Sequence, residues 1–392
     1  MLVARRSSLT VSSGLAVFVA LGLAPLAADA SRVVYINTDP VMVVGGSNDT
    51  TMNAINVNGF MDTEMDGWVG ATPEQIGELV WLLKQTTLAY DVEFVTERPA
   101  AGPYDMVVFG SADDHAAAFG GNCSVQVGIS DCLDAGGESI GFLFWGCLGA
   151  EDQLDPHRVA FHTLGALGYG WGLENVQGTG QVMASYSASG LKYGEQCSMI
   201  SGTSACTHEG CPMGQQNGSA DMLARHGARV DDGPPVITVL SPIAGEMTGS
   251  PFDVVIEVDD AFGGISTSLN LVGFGIDPVV DDTYPFAWPG IAVPNGELTL
   301  EITATDADGN VVTEQVPVCV GVPCSTGETG GETDTGGGES DTTESSTSGG
   351  GADEVGADDG GGGGGGGCST GQGGGAGALA LLGLALLWRR RE

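Results

Sequence analysis

Positive charge is what this chain has least of. Against 50 aspartates and glutamates it carries 12 lysines and arginines, a formal net charge of -38. Such a field repels polyanions, which excludes DNA, RNA and polybasic attachment to anionic lipid. Long apolar runs are missing too. The two that occur, Leu15 to Leu26 and Ala376 to Trp388, are shorter than the roughly 20 residues of a bilayer-spanning helix. Histidine is limited to five scattered residues, His115, His157, His162, His208 and His226, so metal chemistry has few imidazoles to draw on.

What is present begins with an export signal. Arg5 and Arg6 precede the first apolar run, and Ala28-Asp29-Ala30 supplies small residues at a cleavage position, so residues 1–30 read as a signal peptide. Export implies an oxidising compartment, and eight of the nine cysteines cluster in or beside the folded part: Cys123, Cys132, Cys147, Cys197, Cys206, Cys211, Cys319 and Cys324. An even set behind a signal reads as disulfides. The short spacing makes Cys319–Cys324 a local clasp, while the pairing of the other six stays open. Cys197, Cys206 and Cys211 with His208 superficially suggest a metal cluster, but in an exported chain disulfides take precedence. Residues 325–367 are Gly, Ser, Thr, Asp and Glu with scattered alanine and one valine, Val355. That composition cannot bury enough apolar surface to offset chain ordering, so a disordered stalk is expected.

Cys368 stands alone in 368–392, followed by a Gly-rich spacer, the short apolar run and Arg389-Arg390-Arg391. This order resembles the MYXO-CTERM sorting signal of myxobacteria. The resemblance implies a dedicated processing enzyme as partner, Cys368 as the cleavage and lipidation residue, and a transient transmembrane helix in the inner membrane. The mature protein would then be at the cell surface, outer membrane-associated, or extracellular.

Asp231-Asp232-Gly233-Pro234-Pro235 reads as a linker between two folded parts. Beyond it, strand-like runs at Val236–Ser241, Phe252–Val258, Ser268–Gly273, Glu297–Ala304 and Asn310–Val318 alternate with turn residues. They predict a β-sandwich over 234–320. Pro234-Pro235-x-Ile237 with Ser241-Pro242, and Thr305 to Asn310, resemble bacterial Ig-like modules, which implies a spacer or adhesive role. Asp306 and Asp308 offer hard oxygens to calcium; a metal-free Asp-Gly turn is the alternative.

In 31–230, Arg32–Ile36 reads as a strand. Thr72 is placed as a helix N-cap with Pro73 at the first position and Gln75 closing a capping box, and Ile76, Leu79, Val80 and Leu83 form one apolar face. Strands are expected at Val92–Thr96, Tyr104–Gly110 and Gly141–Cys147, which makes an α/β domain with a mixed sheet. From Val159 to Val176 a helix ends among glycines, with Val182-Met183 following as a buried turn.

The segment from His162 through Gly172-Leu173-Glu174-Asn175-Val176, together with Arg32, Tyr35, Asn37, Thr96, Pro99 and Tyr104, resembles metzincin-type (zincin) zinc peptidases. The resemblance implies His162 as first ligand, a general base at Thr163, a second ligand at Ala166, a third at Asn175 and a Met-turn at Met183. Zinc hydrolysis needs about three ligands and a carboxylate to take the proton of the bound water. Threonine, alanine and asparagine do not supply them, and Glu174 reads as a solvated acid at a turn. The expectation is therefore a pseudoenzyme with a vestigial metal ligand at His162. It would act in binding, adhesion or envelope structure on a surface or extracellular protein or polymer. An active zinc endopeptidase with an unusual metal site is the alternative.

Overall fold

A computed structural model describes residues 31–324 apart from 133, 135–137 and 232. The expected signal peptide, stalk and sorting tail, Cys368 included, lie outside the described residues. The transmembrane helix is corrected: among the described residues no helix is long and apolar enough to cross a membrane. At 1.5 Å per residue the run Ala376–Trp388 would cover only about 20 Å of a roughly 30 Å core.

The described residues form a mixed α/β architecture with several sheets. β1 (Arg32–Asn37) runs through the first core. A small sheet follows, of β2 (Val41–Gly45), β3 (Ala54–Ile55) and β4 (Thr63–Met65). α1 (Pro73–Thr86) starts as the sequence dictates: the Thr72 hydroxyl accepts the Gln75 amide at 3.3 Å, and the Gln75 side chain accepts the Thr72 amide at 2.9 Å. Leu79 and Leu83 are fully buried, and Ile76 and Val80 pack partly buried beside them. Then come β5 (Val92–Val95), β6 (Asp105–Gly110), α2 (Ala112–Ala118), β7 (Gln126–Val127) and β8 (Ile140–Phe144). The sheet order is β5-β1-β6-β8-β7, parallel except for β7. Every residue of β6 and β8 is buried, which explains the apolar runs Met106–Phe109 and Ile140–Phe144. The strand expected to reach Cys147 stops at Phe144. Trp145–Cys147 turns as a short 3-10 helix, bringing Cys147 to its partner Cys123.

α3 (Pro156–Gly170) is capped by Asp155 and lies across β8. It ends in a Schellman turn: the Leu173 amide donates to the Gly168 carbonyl at 2.7 Å and the Gly172 amide to Tyr169 at 3.0 Å. Gly172 takes a φ of +71°, which only glycine adopts without strain. A short ribbon, β9 (Ser198–Met199) with β10 (Gln215–Gln216), and α4 (Gly218–His226) complete this part. All eight cysteines pair: Cys123–Cys147, Cys132–Cys206, Cys197–Cys211 and, as the spacing implied, Cys319–Cys324.

Asp105 organises the floor of this core. Its carboxylate is fully buried and takes both Arg32 Nε and Nη2 at 2.7 Å. It also accepts the Ser139 amide and hydroxyl at 2.9 Å and the Trp171 indole at 2.8 Å. One acid thereby ties β1, β6, the lead into β8 and the end of α3.

Residues 236–320 are all β. β11 (Val236–Ser241), β13 (Phe252–Asp259) and β16 (Ala287–Ile291) form one sheet. β12 (Met247–Thr248), β14 (Ser266–Leu271), β15 (Val279–Asp281), β17 (Gly296–Thr305) and β18 (Val311–Val320) form the other. Alternate residues of both sheets meet in one core around Val254, Trp288, Leu300 and Val318.

The β13–β14 loop sits hard against the end of α1. A Cβ on Gly263 would lie 2.7 Å from the Lys84 carbonyl carbon and 2.9 Å from the Gln85 nitrogen, and the Tyr284 phenol occupies the space a Cβ on Gly77 would need. Lys84 Nζ donates to the Asp260 carbonyl. Because main chain meets main chain at Gly263, no rotamer change relieves a methyl there. Gly263→Ala is expected to push the two parts away from each other at a cost of about 1–3 kcal/mol. The check is proteinase K cleavage near Gly233, which should speed up; an unchanged rate would show that the loop absorbs the methyl.

Candidate functional site

α3 carries His162 and the motif positions Thr163 and Ala166, so its surroundings decide what it can do. His162 is half-buried; its Nδ1 stands 2.7 Å from Gln126 Oε1 on β7. With that oxygen as acceptor, the ring donates from Nδ1 and keeps its lone pair on Nε2. Its other face is stacked on Tyr186, centroids 6.3 Å apart at 18°. Arg158 lies over the same tyrosine at 3.8 Å and is held by Asp152 at 2.7 Å. Burial, then the Arg158 charge, pushes the His162 ring down to about 4, so it is neutral at pH 7. The Gln126 amide rests on Gly165, where a Cβ would come within 2.5 Å of its nitrogen.

The other motif positions do not join His162. Thr163 is fully buried, and its hydroxyl has no partner among the described residues. Ala166 is 1% exposed; a Cβ on Gly141 of β8 would stand 3.2 Å from its methyl. The face carrying His162 and Ala166 is thus applied to β7 and β8. Asn175 is exposed, and its carbonyl accepts the Ser201 amide at 2.7 Å. Met183 does reach α3: it is 2% exposed, and a Cβ on Gly168 would lie 2.5 Å from its sulfur.

The sequence reading missed a polar cluster below α3. Glu174 is not a solvated turn acid. It accepts the Ala205 amide at 2.8 Å, the Ser204 hydroxyl at 2.7 Å and the Cys206 amide at 3.3 Å, and it meets His208 Nε2 at 2.9 Å. Burial alone would raise its carboxyl, but these hydrogen bonds outweigh it and leave the group below its ordinary value. His208 Nδ1 faces Asp221 at 2.8 Å. Both imidazole nitrogens are therefore at hydrogen-bond distance from carboxylates, Asp221 at 2.8 Å and Glu174 at 2.9 Å. Cys197, Cys206 and Cys211 are used up in disulfides. Only the placement of His208 between Cys206 and Cys211 hinted at this loop.

Three aspartates form the one group among the described residues with donors close enough for a shared ion: Asp231, Asp260 and Asp306, with ligand oxygens within 4.8 Å of one another. They can hold a divalent cation. Asp306 is buried in its turn, accepting the Asp308 and Asn310 amides at 2.9 and 2.8 Å. Burial pushes Asp260 up to about 6, with Asp231 and Asp306 adding to the rise against the Phe262 amide. Asp308, expected beside Asp306 as a ligand, instead pairs with Arg229 at 2.8 Å.

No family model matches the chain, and no curated protein matches it. Among solved structures it is similar to fibronectin(III)-like modules of CbhA from Clostridium thermocellum, at 22% identity, covering 22% of this chain and 94% of that one, TM-score 0.19. It is also similar to the PKD domain of the human receptor SorCS2, at 16% identity, covering 32% and 98%, TM-score 0.19. A third is the endo-β-1,4-mannanase of Thermotoga petrophila, at 16% identity, covering 27% of this chain but only 23% of the enzyme, TM-score 0.19. At these scores none carries an argument about fold or activity.

Proposed function

We propose that this is an exported, surface-associated protein whose first domain is a degenerate metzincin-type scaffold acting in binding or adhesion rather than peptide hydrolysis. The second domain is an Ig-like spacer, and Cys368 is the processed residue of the sorting tail. The observation that supports the non-catalytic reading is the seating of α3. His162 keeps a lone pair on Nε2, but Thr163 and Ala166 are buried against the core and sheet and bring no second ligand or carboxylate to it. The carboxylate near enough to act on the ring, Asp152, is paired with Arg158 at 2.7 Å. Purified full-length protein is expected to hold no stoichiometric zinc by mass spectrometry and to leave casein intact. Zinc at one equivalent that disappears in His162→Ala, together with casein cleavage, would overturn the reading in favour of a zinc endopeptidase.

The ion suited to Asp231, Asp260 and Asp306 is calcium, a hard cation that prefers carboxylate oxygens. Their place between linker, β13–β14 loop and β17–β18 turn supports a role in stiffening the joint. Millimolar calcium is expected to raise the midpoint of thermal unfolding, and Asp260→Asn to abolish the rise. A calcium response that survives Asp260→Asn sinks this assignment.

A further inference from the structure

The sheet has a second rim, opposite β7 and His162. β5 ends the strand order there, so one of its backbone edges meets no strand among the described residues. An open edge offers N–H and C=O groups that an incoming strand can pair. Such edges are usually guarded by lysine or proline, and β5, Val-Glu-Phe-Val, has neither. In front of it lies a cleft of about 910 Å³ between α1, β5 and β13. One wall is apolar, built from half-buried Ile76, Val80 and Trp81 of α1. Carboxylates mark the rest: Glu93 and Glu97 line it from the β5 side and Glu257 from β13. None of these three forms a salt bridge among the described residues. The lysine of the cleft, Lys84, is already committed, donating to the Asp260 carbonyl with Asp259 at 3.9 Å.

We propose that this cleft binds an extended peptide with lysine or arginine at alternate positions, added as a strand along β5. A bound strand projects every second side chain to one face. Cations on the side of β5 that carries Glu93 and Glu97 would then meet those carboxylates, with Glu257 lining the cleft from β13, while the alternate apolar side chains turn to the α1 wall. Charge rules out the chain's own acidic 325–367 segment as occupant. The inference deepens the binding role proposed above and rests on that reading only for its biological sense, because the cleft lies at the other rim from His162.

The test titrates the full-length protein with a fluorescent peptide alternating lysine and valine. The same peptide N-methylated on alternate amides and a glutamate–valine counterpart run alongside. Binding of the lysine peptide alone is expected. Glu93→Lys with Glu97→Lys should weaken it roughly tenfold or more, since two attractions become repulsions. Glu257→Lys, on the facing sheet, should weaken it independently of any effect on β5. Glu314→Lys, exposed on β18, should change it less than about twofold. Three results would overturn the proposal: no binding, undiminished binding of the methylated peptide, or equal loss in Glu314→Lys, which would mean diffuse attraction to an acidic protein. Zinc content and casein cleavage report on His162 alone, so failure here leaves the non-catalytic reading standing, and the reverse also holds.

Discussion

Asp105→Ala is expected to destabilise the first domain by about 3–5 kcal/mol, the cost of leaving a buried charge without its partner. The substitution strands more than Arg32. The Trp171 indole and the Ser139 amide and hydroxyl lose their acceptor in the same step. Among the described residues Arg32 keeps the ion pair with Asp134 at 3.0 Å. In a domain of this size the loss lowers the unfolding midpoint by on the order of 10 °C. Asp105→Asn should fall between, because an amide oxygen still accepts from Trp171 while the guanidinium loses its bidentate carboxylate. Thermal unfolding followed by near-ultraviolet circular dichroism reads the effect, since Trp171 is fully buried. A midpoint within a degree or so of wild type would mean that water replaces the carboxylate, and that the β1–β6–α3 tie is not structural.

The second large effect concerns writing a zinc-peptidase motif onto α3. Thr163→Glu with Ala166→His writes a His-Glu-x-x-His pattern onto α3, yet it is expected to yield an unstable, zinc-free protein. Position 166 has no room: its methyl already presses on Gly141 of β8, and a Cβ on Gly128 would clash with the Ala166 carbonyl. Position 163 is fully buried, so a glutamate there is desolvated without a partner. Overpacking alone costs about 1–3 kcal/mol, and the buried acid adds to it. The outcome is read from soluble yield, urea midpoint and bound zinc. A folded double variant with one equivalent of zinc would show that α3 can lift off the sheet.

Features governed by neighbouring residues were legible in the sequence. The Thr72–Gln75 box, the Ile76–Leu83 stripe, the apolar Met106–Phe109 run of β6 and the Cys319–Cys324 clasp all depend on contacts within a few positions, and each stands where the residues placed it. What depends on distant partners was not legible. The small sheet β2–β4 is held by pairing across short, weakly patterned strands, and β15 and β16 are likewise too brief to announce themselves. Gln126 is 36 residues from His162, and Glu174 is 34 from His208. No period or spacing links such pairs, so Glu174 read as a bystander although it anchors a loop. The three-aspartate group was half visible: Asp306 stands out in its turn, but Asp231 and Asp260 reach it only through the docking of the β13–β14 loop.

The clasp at the end of β18 has a mechanical meaning. A pull on the chain beyond Cys324 crosses the sulfur bridge to Cys319, so the peptide between them is never stretched. Force enters at a residue already registered opposite Glu297 of β17 and Met247 of β12. The strand is therefore loaded at a residue paired on both sides rather than through its last residue, Val320.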